Sequence, residues 1–145
     1  SYPYSNLKGA AMEYLVGIVL GVVIGSGTSA IGMDRDRALY PAALIVIAAY
    51  YDLFAVMAGS NSALAAELAA GVVFVGLAIA GFRFSLWLTA AGIAGHGIFD
   101  IFHDYIIYNP GVPDFWMGFC SSIDIVLGIY LAWLLWQGKV RSRPI

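Results

Sequence analysis

The run Ala10-Ala11-Met12-Glu13-Tyr14-Leu15-Val16-Gly17-Ile18-Val19-Leu20-Gly21-Val22-Val23-Ile24-Gly25-Ser26-Gly27-Thr28-Ser29-Ala30-Ile31 decides the fold class. Glu13 is its one charged residue, and it exceeds the ~20 apolar residues that cross a ~30 Å hydrocarbon core at ~1.5 Å per residue. It is too long for the apolar core of a signal peptide, so it is expected to stay in the chain. Four similar runs follow, over about 39–58, 63–82, 84–108 and 115–137. Their linkers carry turn chemistry: Gly32-Met33-Asp34-Arg35-Asp36-Arg37, Gly59-Ser60-Asn61-Ser62, a tight turn near Arg83, and Asn109-Pro110-Gly111-Val112-Pro113-Asp114.

Composition agrees. The 145 residues are 61% hydrophobic and 11% charged, against ~25% charged in an ordinary soluble domain. A soluble fold of this length has too much surface to hide that many apolar side chains. The expected fold is therefore an all-α integral membrane bundle of about five transmembrane helices, forming one domain over 1–145 in contact with a lipid bilayer. The net charge of −2 and the lack of a basic run give nucleic acid nothing to bind. The single cysteine, Cys120, excludes an internal disulfide and a four-cysteine zinc or iron–sulfur site.

Positive charge gives the bundle a direction. With five spans, one side carries Lys8, and the other collects Arg35, Arg37, Arg83, Lys139, Arg141 and Arg143, six of the seven basic residues. The C-terminus is then cytoplasmic and the N-terminus outside, as expected for a bacterial inner membrane. Aromatics fall at both boundaries: Tyr2, Tyr4, Tyr14, Tyr105, Tyr108, Phe115 and Trp116 outside, and Tyr40, Trp87, Trp133 and Trp136 inside. Gly17, Gly21, Gly25 and Ser29 recur at four-residue spacing on the first helix. Small residues let membrane helices approach closely, so this stripe predicts a seam, either within the chain or through self-association or contact with other membrane subunits.

Ionisable residues inside a membrane are costly, so each needs a reason. The fourth helix reads His96-Gly97-Ile98-Phe99-Asp100-Ile101-Phe102-His103-Asp104. At 100° per residue, His96, Asp100 and His103 share an arc of about 60°. Asp124 on the fifth helix and Asp52 on the second fall at comparable depth, about 8 to 18 Å below the outer boundary by the helical rise. Glu13, Glu67 and Asp104 lie nearer the interface, where solvation accounts for them. Cys120 reads as a small packing residue.

Two readings of this layer compete. Two histidines and several carboxylates suit a divalent ion such as zinc, copper or iron, with His96, Asp100 and His103 as core ligands and Asp124 and Asp52 as contributors. Alternatively, they form an interhelical hydrogen-bond network, His96 with Asp52 and His103 with Asp124, in a non-catalytic accessory subunit of a larger complex. No lysine lies within a span, which excludes a retinal Schiff base, and no Cys-x-x-Cys-His is present for covalent haem. Polar residues are nearly missing from the inner halves, which argues against a path for ions across the whole membrane.

The pattern His96-Gly97-x-x-Asp100-x-x-His103, followed by Val112-Pro113-x-x-Trp116-x-x-Phe119-Cys120 and Asp124, resembles a family of small uncharacterised bacterial membrane proteins. The resemblance covers about the last 45 residues. It implies that His96, Asp100, His103 and Asp124 belong to one unit, and it implies no activity.

Overall fold

The computed structural model describes residues 4–145, with side chains from residue 8, so Tyr2 and the Tyr4 side chain lie outside the described residues. Five helices follow in order: α1 (Tyr4–Ile31), α2 (Leu39–Met57), α3 (Asn61–Arg83), α4 (Leu86–Ile106) and α5 (Trp116–Trp136). Four of them, α1, α2, α3 and α5, are long and apolar enough to cross a membrane. The chain is an all-α bundle suited to a lipid bilayer, with side chains such as Val23, Val72 and Ile129 more than half exposed on its outer surface.

Local chemistry sets the helix ends. The α2–α3 turn closes on Gly59 (φ 66°), a left-handed position at which glycine carries no Cβ penalty. Its N–H reaches the Val56 carbonyl, and the Ser60 N–H reaches that of Ala55. Ser60 then caps α3 by accepting the Ala63 N–H at 3.2 Å. The expected run over 84–108 contracts to Leu86–Ile106. Ser85 caps its start, and Ile107 leaves the helix in an extended conformation (φ −130°, ψ 124°).

Helix α4 is central, packing against α5, α3 and α2, while α1 rests on the far side of α5. The helix with the largest share of histidines and acids is thus one that packs against three neighbours. Close approach of α4 and α5 relies on missing side chains. A methyl on Gly128 would stand 2.7 Å from the Ala94 nitrogen, and one on Gly97 2.9 Å from the Ser121 carbonyl oxygen. The Gly17/Gly21/Gly25 stripe also packs within the chain, against Ser122, Val126 and Tyr130 of α5. Its small residues are therefore occupied internally, leaving self-association to other faces.

Arg37 departs from the picture of a free loop arginine. It is buried, and its guanidinium donates to the carbonyls of Phe82 (2.9 Å), Gly81 (3.4 Å), Arg141 (3.0 Å) and Ser142 (3.1 Å). It ties the α1–α2 linker to the end of α3 and to the C-terminal segment, satisfying carbonyls that α3 leaves open.

Candidate metal centre

The polar group lies in the half of the bundle that holds the α2–α3 turn and the α4–α5 linker. Helix α4 supplies His96, Asp100 and His103 from one buried face, as their spacing predicts. Helix α5 brings Asp124 alongside, because Gly97 and Gly128 let the two backbones close. His96 Nδ1 and Asp124 Oδ2 form a hydrogen bond of 2.8 Å, and Asp100 Oδ1 stands 3.5 Å from the same nitrogen. All three residues are at most 1% exposed.

Two neighbours complete this first cluster: Tyr51, which sequence reasoning passed over, and Cys120, which it reads as a packing residue. The Tyr51 hydroxyl donates to Asp100 Oδ1 at 2.5 Å, and the Cys120 thiol points at Asp124 Oδ2 from 3.8 Å. Tyr51 had a visible signal: Tyr40, Leu44, Ala48, Tyr51 and Ala55 recur every three or four residues and form the buried face of α2.

His103 belongs to a second cluster. Its Nε2 pairs with Glu67 Oε1 at 2.7 Å, and its ring stacks on Tyr51 with centroids 4.0 Å apart and planes at 7°. Asn109, from the α4–α5 linker, donates to Glu67 Oε1 (2.9 Å) and to the Tyr51 carbonyl (3.0 Å). Glu67 is 2% exposed, so solvation does not account for it; the linker folds over it and seals it in. The observed pairs are His96–Asp124 and His103–Glu67, in place of the expected His96–Asp52 and His103–Asp124. Asp52 sits one residue beyond Tyr51, about 100° around the helix. It faces Gly71 across an apolar cleft between α2 and α3 and meets neither cluster.

His96, Asp100 and Asp124 form a buried group that could hold a metal ion, with one donor atom from each lying within 4.8 Å of the others. A tetrahedral ion with ligands at ~2.0–2.1 Å implies donor separations of about 3.3 Å. The 3.5 Å between His96 and Asp100 meets that, and the shorter His96–Asp124 hydrogen bond is one a cation would replace. Asp100 Oδ2 and Asp124 Oδ1 are buried without any hydrogen-bond partner. Buried carboxylate oxygens ordinarily find a donor or a cation, so the group fits a metal.

A cavity of about 440 Å³ reaches Asp100 and His103 from the linker end, lined also by Asp104, Asn109 and Asp114. A second space, about 450 Å³, reaches Asp124 and Cys120 from the side between α1 and α2. No protein-family model, curated protein or solved structure matches the chain.

Proposed function

We propose that this is a five-span protein of the bacterial inner membrane that holds a divalent transition-metal ion in its outer leaflet, at His96, Asp100 and Asp124. The observation that carries the reading is one buried imidazole with two buried carboxylates beside it, each keeping one oxygen, Asp100 Oδ2 and Asp124 Oδ1, without a hydrogen-bond partner. One nitrogen and several oxygens suit zinc, iron(II) or copper(II). Tyr51 orients Asp100 from behind, the kind of outer contact that fixes a ligating carboxylate. His103, held by Glu67 and stacked on Tyr51, acts as a positioning residue one layer away.

The five-span count includes α4, whose 21 residues match a bilayer core at ~1.5 Å per residue and whose polar side chains face inward. The outside placement of the N-terminus follows from the charge bias. The meeting of the Arg37 linker, the α3 end and the C-terminal segment at one end supports it. Metal analysis of the purified protein beside His96→Ala and Asp124→Asn tests the site. The reading requires stoichiometric metal in the parent and a large loss in both variants. Equal, negligible metal in all three would sink it.

A second reading, a non-catalytic subunit of a larger membrane complex, rests on α1. That helix packs on α5 and leaves Leu15, Ile18, Val22 and Val23 exposed. Isolation in mild detergent as a single particle of the chain's own mass plus detergent would count against it.

A further inference from the structure

Two spaces reach the three residues of the candidate metal centre, and only one has walls an ion can follow. The space between α1 and α2 meets Asp124 from the side, past Leu20, Ile24, Ala43 and Ile47. Shedding water against such side chains costs an ion far more than they return. The cavity at the linker end is different. Asp100, Asp104 and Asp114 all line it, and among the described residues no lysine or arginine does.

The three acids are graded in exposure. Asp104 and Asp114 are exposed. Asp100 stands one turn deeper on α4, about 6 Å along the axis, and is 1% exposed. Tyr51, which lines the same cavity, engages Asp100 Oδ1; Asp100 Oδ2 has no hydrogen-bond partner. Asp100 is also the one residue common to the cavity lining and to the group of His96, Asp100 and Asp124. Exposed carboxylates alone are ordinary solvated surface. Here they lead to a buried carboxylate with an oxygen to spare.

The exposed acids do not make a second closed site. Among the described residues, three donor atoms converge within 4.8 Å only at His96, Asp100 and Asp124, and Asp104 is already 3.3 Å from His103 Nδ1. They act through their field, which a cleft with apolar walls such as Ile107, Val112 and Met117 concentrates. That suits a cation still carrying its water.

We propose that this cavity is a cation vestibule, in which Asp104 and Asp114 gather a hydrated divalent cation and Asp100 receives it into the metal centre. The inference deepens the metal reading by naming the side and the residues through which the ion arrives, and only its last step rests on that reading.

The test uses the full chain in nanodiscs, with Met117→Cys and, separately, Val112→Cys placing a thiol on the cavity wall. The parent chain, whose single thiol Cys120 is buried, is the blank. Each reporter is treated with a trimethylammonium and a sulfonate methanethiosulfonate, both rates being divided by those for a free small thiol. The cationic reagent should be favoured about tenfold, an advantage erased by ~1 M salt and by Asp104→Asn/Asp114→Asn. The same double substitution, without the reporter, should slow zinc association about tenfold and leave the zinc bound at saturation unchanged. Ala43→Trp, which fills the apolar space, should leave that rate unchanged. Equal rates for the two reagents at both reporters, or a preference that survives the double substitution, would overturn the proposal. So would zinc association that Ala43→Trp slows and the acid substitutions do not. The expected preference in a parent protein that binds no zinc would uphold the vestibule and count against the metal reading instead.

Discussion

Replacing Tyr51 by phenylalanine removes one oxygen from the centre of the polar group and leaves its shape intact. The ring still stacks on His103, at 4.0 Å between centroids, and still fills the space beside Phe54 and Phe99. What disappears is the 2.5 Å hydrogen bond to Asp100 Oδ1. Asp100 Oδ2 already lacks a partner, so the carboxylate keeps only the His96 nitrogen at 3.5 Å. Stranding a buried acceptor costs about 1–3 kcal/mol, and that is the expected fall in stability of the metal-free protein. In the metal-bound protein, losing the group that orients a ligating carboxylate should weaken affinity by roughly 10–100-fold. Competition against a chromophoric zinc chelator in detergent measures the second effect, and thermal unfolding of the chelated protein measures the first. A destabilised variant with unchanged metal affinity would refute the assignment of Asp100 as a ligand positioned by Tyr51.

Three other perturbations separate the roles of neighbouring residues. Glu67→Ala leaves His103 Nε2 without its acceptor and Asn109 Nδ2 with the Tyr51 carbonyl alone, and should cost about 1–3 kcal/mol. Glu67→Gln, which retains one carbonyl acceptor, should recover part of this in the same melts. Gly128→Ala places a methyl 2.7 Å from the Ala94 nitrogen and 2.8 Å from its Cβ. Prising α4 from α5 should cost about 1–3 kcal/mol and weaken metal binding by separating His96 from Asp124. Arg37→Ala releases four backbone carbonyls, and limited proteolysis should then cut the segment after α5 faster while metal content is unchanged.

The sequence reading succeeded where one periodicity governs and failed where two helices must be rotated against each other. Span lengths follow from the bilayer, so the helices lie where the apolar runs do. His96, Asp100 and His103 share a buried face because all three sit on one helix, where 100° per residue is a reliable ruler. Position along the chain sets Asp52 next to Tyr51 but gives no direction around α2, and the buried face turns Tyr51 inward instead. Glu67 was read by its distance from the helix end. What buries it is Asn109, forty-two residues later in the chain, a contact that no local pattern encodes. The partner exchange, His96 with Asp124 and His103 with Glu67, has the same origin. It depends on how closely α4 meets α5 and α3, and that is set by Gly97, Gly128 and Gly81. The apolar run of α4 is interrupted by His96, Asp100, His103 and Asp104, and packing buries the first three of these.

The central claim is that one imidazole and two carboxylates, from α4 and α5, hold a metal ion. X-ray absorption at the zinc edge of the zinc-loaded protein addresses it directly. The account predicts nitrogen and oxygen scatterers at ~2.0–2.1 Å with the outer-shell signature of a single imidazole, lost in Asp100→Asn/Asp124→Asn. A spectrum dominated by sulfur at ~2.3 Å, by two or more imidazoles, or unchanged in the double variant would contradict it.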